Sequence, residues 1–318
     1  MAVASSPFDV LTMGRIGVDI YPEQIEVPLG EVETFARFLG GSPTNVAVAA
    51  ARLGRSSCVI TRTGQDPFAE FVHTALREFG VDDRYVQSVP ELPTPVTFCE
   101  VWPPDRFPIY FYRYPKAPDL EIHSEDLDFA AIQDATVFWV TVTGLSQEPS
   151  RTATLDALEA RGKRGITILD LDYRSSFWES QEAARPWVER ALAHVTVAVG
   201  NRQECETAVG HAEPVDAAAA LRQHGVELAI VKQGPRGVLA QDAETTVEVP
   251  PLAVRVVNGI GAGDAFGGAL CHGLIAGWEL EPLMRFCNGA GALVTTRLAC
   301  ADAMPGEMEV LELLGGAS

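Results

Sequence analysis

The sequence predicts an α/β protein in which helices cover both faces of a mostly parallel β-sheet. Short apolar runs alternate with segments of helical periodicity along most of the 318 residues. The apolar runs are nearly continuous, as is typical of strands that are buried on both faces. No repeat, low-complexity tract or evident linker interrupts the alternation, so residues 1–318 are predicted to form one domain.

Each strand is predicted from a run of aliphatic and β-branched residues that ends at glycine, proline or polar residues. The predicted strands are residues 9–13, 58–62, 136–142, 166–171, 195–199, 228–232 and 254–257. Each helix is predicted where apolar residues recur every three or four positions. The predicted helices are residues 43–53, 67–79, 151–161, 183–193, 215–224, 265–276 and 283–296.

Two segments, about 16–29 and 94–113, do not fit this alternation because they are rich in β-branched and aromatic residues. Pro103-Pro104-Asp105 supplies a hairpin turn within the second segment. We predict that both segments form a small accessory sheet, a lid inserted into the domain. One face is predicted to close over a substrate and the other to meet a second copy of the chain. A hairpin packed on the main body is the alternative interpretation.

Composition excludes several functional classes. A formal net charge of −19 argues against nucleic-acid and anionic-membrane partners, which attract basic proteins. The six cysteines form no C-x-x-C pair and most lie in apolar runs, which favours reduced, buried thiols. Neither a signal-peptide pattern nor an apolar run of about 18 residues is present, so a cytoplasmic protein is predicted. H-E-x-x-H and G-x-S-x-G motifs are also lacking.

The segment from Asn258 to Phe266 is the most informative motif. It lies between a β-branched run and a long apolar segment, in the order strand, glycine turn, helix. Three glycines in five residues allow successive backbone N–H groups to converge, and a helix N-terminus adds partial positive charge. Asp264 is placed at the first helical position. An anion-binding turn beside a carboxylate suits phosphoryl transfer, although a capped strand–helix turn is the alternative.

A second glycine-led helix start follows Gly40-Gly41. Ser42 is predicted as its N-cap, Pro43 lies in its first turn, and Gly54 ends it. The glycines allow a small polar ligand to approach the backbone, and the Asn45 amide suits a sugar hydroxyl. A well-capped core helix is the alternative.

Further polar residues follow predicted strand ends, where open parallel sheets bind ligands. Asp19 suits vicinal hydroxyls, and Arg174 together with Arg113 of the accessory segment suits an acidic group. Asn201 and Glu204 fit either a capping box or a role beside nucleotide phosphates and Mg²⁺. Residues 232–237 fit either a ligand-binding turn or a simple turn between strands.

Taken together, these motifs resemble the two signatures of the ribokinase-like, phosphofructokinase-B type carbohydrate kinases. The resemblance covers nearly the whole chain and implies a three-layer α/β sandwich with a β-sheet lid. It implies that Asp264 is the catalytic base and that Gly261, Ala262 and Gly263 form the anion hole. It implies a sugar site of Asp19, Gly41, Asn45, Tyr112, Arg113 and Arg174. It implies a nucleotide site of Asn201, Glu204, Lys232, Gly234, Gly237 and Asn288.

Residues 94–100, 170–178, 195–206 and 258–274 are most similar to family members that phosphorylate the C6 hydroxyl of 5-dehydro-2-deoxy-D-gluconate. ATP and Mg²⁺ are the implied cofactors, with Glu204 acting on the metal through water. Asn258 replaces an aspartate that helps many relatives bind a monovalent cation, so activation by potassium is not predicted. A kinase of 2-keto-3-deoxygluconate or fructose is the first alternative, and a non-catalytic nucleotide- or sugar-binding protein is the second.

Overall fold

The computed structural model describes residues 8–316, which form two β-sheets and the helices packed around them. Ten strands belong to one large sheet: β1 (Val10–Met13), β4 (Ser57–Thr63), β5 (Val81–Asp82), β6 (Val86–Ser88), β9 (Val137–Thr141), β10 (Ile166–Asp170), β11 (Val197–Asn201), β12 (Leu228–Lys232), β13 (Val238–Gln241) and β14 (Thr246–Val249). Four strands form a separate small sheet: β2 (Gly17–Pro22), β3 (Phe35–Gly40), β7 (Val96–Cys99) and β8 (Ile109–Tyr112).

All seven predicted helices are present, with ends that differ by a few residues. They are α1 (Ser42–Arg52), α2 (Pro67–Glu78), α4 (Ser150–Arg161), α5 (Gln181–Leu192), α7 (Pro214–Gln223), α8 (Ala262–Ile275) and α9 (Leu280–Thr295). Three further helices were not predicted: α3 (Phe129–Asp134), α6 (Arg202–Val209) and α10 (Glu307–Gly316).

The large sheet has the order β14-β13-β12-β11-β10-β9-β1-β4-β5, with β6 also paired to β4. Its pairs are parallel except at the β12–β13–β14 edge, where they are antiparallel. Successive strand residues enter opposite cores: Val137 and Trp139 pack with α1, α8 and α9, whereas Phe138 and Val140 pack with α3 to α7. The predicted three-layer α/β sandwich is therefore confirmed.

The predicted strand at residues 254–257 is wrong, because this segment joins no sheet. The backbone N–H groups of Val257 and Asn258 instead donate to the Thr295 carbonyl at the end of α9, at 2.7 and 3.1 Å. The edge of the sheet is built by the β13–β14 hairpin, which the sequence analysis did not predict. The segment before Val257 is thereby left free to border a cavity.

The small sheet has the order β3-β2-β7-β8. Strand β2 is antiparallel to β3 and parallel to β7, which in turn is antiparallel to β8. Both segments predicted to form the accessory sheet, about 16–29 and 94–113, contribute strands to it. However, β3 lies outside these segments, and residues 23–29 contain no strand. A bridge between Trp102 and Arg106 closes the hairpin around the predicted Pro103-Pro104-Asp105 turn.

The six cysteines are unpaired and buried, as predicted. None of the helices within residues 8–316 has the length and apolar character needed to cross a bilayer.

Candidate active site

A cavity of about 460 Å³ lies between the small sheet and the carboxyl-terminal edge of the large sheet. Residues that follow β1, β10 and β11 line it, together with the first residues of α1 and α8. Because parallel strands present their carboxyl ends at one edge, distant parts of the sequence meet here. Five carboxylates and four cationic side chains border the cavity: Asp19, Asp170, Asp172, Glu204 and Asp264, with Arg15, Arg113, Arg174 and Lys232.

The glycine turn before α8 forms one wall of this cavity. Gly261 is the N-cap residue with φ of 89°, a left-handed conformation that glycine adopts without steric cost. Helix α8 begins at Ala262, so the N–H groups of the first turn lie at the positive end of the helix. Gly261 and Gly263 border the cavity, whereas Ala262 borders the adjoining one. The turn has the features of an anion-binding site.

Asp264 is the third residue of α8, not the first as the sequence analysis predicted. Ser42 Oγ donates to its Oδ1 and Asn45 Nδ2 donates to its Oδ2, both at 2.8 Å. Ser42 therefore does not cap α1, since Gly41 is the N-cap residue and the hydroxyl is used on Asp264. Burial raises the pKa of Asp264, while the two hydrogen bonds oppose this effect. The carboxylate is thus oriented by α1 and more basic than an exposed aspartate.

Asp19 lies on the opposite wall, on the inner face of β2. Tyr21 Oη donates to Asp19 Oδ2 at 2.9 Å, and Cys300 Sγ lies 2.9 Å from the same hydroxyl oxygen. Burial raises the pKa of Asp19 to about 7, against the opposing effects of Tyr21 and Arg15. Gly41 and Asn45 border the same space. Three of the six residues predicted for the sugar site are therefore brought together.

Asp172 lies between two arginines on the floor of the cavity. Its Oδ2 accepts from Arg15 Nη2 and its Oδ1 pairs with Arg174 Nη2, both at 2.6 Å. Burial disfavours the charged carboxylate, but Arg174 and Arg15 outweigh it and hold the pKa of Asp172 below its usual range. Arg15 was missed by the sequence analysis. Its position directly after β1, within a Gly-x-x-Gly stretch, was the available signal.

Arg113 borders the cavity, but Tyr112 does not. Side chains alternate between the two faces of β8, so Phe111 faces inward and Tyr112 packs against Phe98 with 58% of its surface exposed. The prediction that Tyr112 binds substrate is wrong for this geometric reason. Arg113 Nη2 contacts both carboxylate oxygens of Asp119, at 2.9 and 2.7 Å.

A second cavity of about 670 Å³ adjoins the first, and both are bordered by Lys232, Gly234 and Gly263. Gly237 and Asn288 border the second cavity, where Asn288 Nδ2 donates to the carbonyls of Val249 and Pro250. Its remaining lining is largely apolar and comes from residues 251–256 and the facing side of α9. An apolar cleft that leads to an anion-binding turn has the form expected for a nucleotide site.

Asn201 and Glu204 border the first cavity, beside Lys232. They form a complete capping box: Glu204 N–H donates to Asn201 Oδ1 at 2.9 Å, and Asn201 N–H donates to Glu204 Oε2 at 2.7 Å. The capping interpretation is thus correct, and it holds Glu204 at the cavity wall. Burial alone would lower the pKa of Lys232, but Asp170, Glu204 and Asp264 outweigh it and raise that pKa.

Asn258 is fully buried beneath the glycine turn. Its Nδ2 donates to the Leu298 carbonyl at 2.6 Å, and its Oδ1 accepts from the Ile260 N–H at 3.1 Å. The donor contact requires an amide, since an ionised aspartate has no N–H to give. The Asn258 amide therefore holds the glycine turn through a donated hydrogen bond that an ionised aspartate could not form.

Two buried polar atoms at the cavity, Asn45 Oδ1 and Arg174 Nε, have no hydrogen-bond partner. Unpaired buried groups are costly unless a ligand satisfies them, so these two atoms are candidates for contact with a bound polar substrate. Within residues 8–316, histidine, cysteine and carboxylate side chains form no group of three suited to a metal. Mg²⁺ at Glu204 would therefore take most of its ligands from phosphate and water.

Comparisons with known proteins agree with this geometry. The family described as "pfkB family carbohydrate kinase" matches residues 8–306. A protein of Clostridium tetani named 5-dehydro-2-deoxygluconokinase is 31% identical over 316 residues, which cover 97% of this chain and 93% of that protein.

Two solved structures have closely similar folds. A putative ribokinase II from E. coli, solved with ATP and Mg²⁺, has a TM-score of 0.88 and 24% identity, and the match covers 97% of this chain and 99% of that one. A doubly substituted fructokinase from Vibrio cholerae O395, bound to fructose, ADP and potassium, has a TM-score of 0.85 and 25% identity, with 98% and 99% covered.

Proposed function

This chain belongs to the pfkB family of carbohydrate kinases, and we propose that it transfers the γ-phosphate of ATP to the C6 hydroxyl of 5-dehydro-2-deoxy-D-gluconate. It is an ATP-dependent carbohydrate kinase. The choice of substrate is supported by the name of the Clostridium tetani relative, which aligns over nearly the full length. Arg15 and Arg174 share one carboxylate at the cavity of a strongly acidic chain, and this local excess of positive charge also supports an anionic substrate. A role in inositol catabolism and a cytoplasmic location belong to the same proposal.

The observation that carries the proposed chemistry is the position of Asp264 beside the glycine turn, in a cavity that Asp19 also borders. The substrate is held by Asp19, Gly41 and Asn45 with its C6 hydroxyl at Asp264. Asp264 accepts the hydroxyl proton as the C6 oxygen bonds to the γ-phosphorus. The bond from that phosphorus to the β-phosphate oxygen breaks, and ADP leaves.

The N–H groups of residues 261–263 stabilise the charge that spreads over the transferring phosphoryl group. Arg174 and Lys232 add positive charge at the same place. Arg113, which Asp119 neutralises, borders the sugar. The nucleotide occupies the second cavity, along Gly234, Gly237 and Asn288. Mg²⁺ held near Asn201 and Glu204 would neutralise phosphate charge.

A substrate panel tests the assignment. With ATP and Mg²⁺, we expect kcat/KM for 5-dehydro-2-deoxygluconate to exceed that for fructose or 2-keto-3-deoxygluconate by about 100-fold or more, since hydrogen-bonding sites discriminate strongly. Release of ADP gives the rate, and NMR of the product locates the new phosphate. Equal turnover of fructose, or phosphate on another hydroxyl, would contradict the proposal. Binding of sugar and nucleotide without release of ADP would favour the non-catalytic alternative.

The outer face of the small sheet is proposed to join a second copy of the chain. Phe35, Tyr110, Tyr112 and Tyr114 are exposed there, with 39%, 41%, 58% and 81% of their surface accessible. A row of exposed aromatic side chains is typical of a protein–protein interface. Sedimentation is expected to show a dimer for the natural sequence and a monomer for Tyr112→Glu. A natural chain that stays monomeric at micromolar concentration would rule this interface out.

A further inference from the structure

Arg15 is a buried arginine of the sugar side of the cavity. It follows β1, is 6% exposed, and packs beside two aromatic rings that contact each other, with Cζ 5.7 Å from the Phe111 centroid and 5.8 Å from that of Phe177. Its carbonyl accepts from Thr44 Oγ1 at 3.0 Å, and a Cβ at Gly41 would lie 2.4 Å from the same carbonyl oxygen. The start of α1 therefore packs directly on Arg15, whose guanidinium is held in place by aromatic packing.

Only two of the three guanidinium nitrogens of Arg15 donate hydrogen bonds to the described part of the protein. Nε donates to Thr143 Oγ1 at 3.1 Å and Nη2 to Asp172 at 2.6 Å. Nη1 has no hydrogen-bond partner within the described part of the chain and is not fully buried, and Arg15 borders the cavity. One edge of a fixed, planar donor group is thus open to a ligand.

The ion pairs of Arg15 leave one positive charge in excess within its own hydrogen-bonded group. Arg15 and Arg174 share the single carboxylate of Asp172, so this group of three carries a net charge of +1. Arg113 differs, because within residues 8–316 its carboxylate partner Asp119 forms no second ion pair, and the pair is neutral. Among the arginines near the sugar site, the group that contains Arg15 therefore best complements a ligand with one negative charge.

Arg15 also has the right neighbours for a contact to substrate. Arg15, Asp264 and Asp19 all border the cavity, and the charge of Arg15 opposes the rise in the pKa of both carboxyl groups, so the guanidinium lies near the proposed base and the proposed sugar-binding carboxylate. A sugar acid with a hydroxyl at Asp264 would place its carboxylate in the same cavity, near Arg15.

We propose that Arg15 is the specificity-determining residue that binds the carboxylate of the sugar acid through its open Nη1 edge. This inference rests on the proposed function and deepens it. Phe111 and Phe177 pack against the planar guanidinium and partly desolvate it, and Asp172 fixes its orientation. The contact selects acids over neutral sugars of the same shape.

The test compares 5-dehydro-2-deoxygluconate with its neutral carboxamide in the natural chain, Arg15→Met and Arg15→Lys. The natural chain is expected to prefer the acid in kcat/KM on the order of 10- to 100-fold, as for hydrogen bonds to charged groups. Arg15→Met should reduce this preference to about 3-fold or less, mainly through a higher KM for the acid, because the charged contact is lost. Arg15→Lys should keep part of the preference, since it retains the charge.

Arg15→Met is expected to fold, because Asp172 keeps Arg174 as a partner, and binding of ATP provides the check. Arg37→Met is the matched control, since Arg37 lies in the small sheet over Phe71 and outside the cavity. If Arg15→Met lowers kcat/KM equally for acid and carboxamide, Arg15 acts on the phosphoryl group and this inference is wrong. If the natural chain does not phosphorylate 5-dehydro-2-deoxygluconate but does phosphorylate fructose, the proposed function itself is wrong.

Discussion

Replacing Asp264 by asparagine is expected to lower kcat by about 100-fold or more. The amide is close in size to the carboxylate but cannot accept the proton of the C6 hydroxyl. Ser42 and Asn45 would still hold the side chain by hydrogen bonds, so the cavity should keep its shape. Steady-state rates of ADP release, together with calorimetric binding of ATP and sugar acid, separate lost chemistry from lost binding.

Asp216→Asn provides the matched control for that substitution. Asp216 is the third residue of α7, as Asp264 is of α8, but it is exposed on the surface and borders neither cavity. Its replacement should leave kcat within about 2-fold, since isolated surface changes have small effects. Near-normal turnover by Asp264→Asn would refute its role as the base.

Replacing Gly261 by alanine is expected to lower kcat by about 10²- to 10³-fold, comparable to the loss of a donor from an oxyanion hole. A Cβ at this position would lie 2.7 Å from Cys300 Sγ and 3.1 Å from Cys300 Cβ. Because such contacts are too short, the turn must shift, and its N–H groups would no longer converge on the phosphoryl group. Rates under saturating ATP and substrate measure the effect.

Gly277→Ala separates this effect from simple backbone strain. Gly277 follows the same helix at its other end with φ of 69°, but no atom lies within 4 Å of its Cβ position. Both substitutions carry a left-handed strain of about 1–2 kcal/mol in the free energy of unfolding. Only Gly261→Ala should also lose activity, so an equal loss of kcat in both variants would contradict the proposed anion hole.

The central layers of the fold could be predicted because their strands are continuous apolar runs between helices. The edges could not, since β13 and β14 are short and β3 has exposed residues along much of its length. Residues 254–257 resembled a strand in composition, but tertiary contacts with Thr295 determined their conformation instead. Local sequence therefore specified the central strands better than those at the edges of the sheets.

The site was predictable where its residues lie in a distinctive turn or directly after one, as Gly261 and Asp264 do. Arg15 was not predicted because its role depends on Asp172, 157 positions away, which the order β1-β9-β10 brings within 2.6 Å. Tyr112 was misassigned because one residue of register decides which face of β8 it occupies. Such dependence on pairing and register cannot be read from a single sequence.

The central claim is that the glycine-turn amides and the Asp264 carboxylate act on one phosphoryl group. A crystal structure with ADP, aluminium fluoride, Mg²⁺ and 5-dehydro-2-deoxygluconate tests it directly, because aluminium fluoride imitates the phosphoryl group during transfer. We expect its fluorine atoms within hydrogen-bond distance of the N–H groups of residues 261–263, and the C6 hydroxyl within about 3 Å of the Asp264 carboxylate. Aluminium fluoride bound away from the turn, or a C6 hydroxyl that faces another side chain, would contradict the claim.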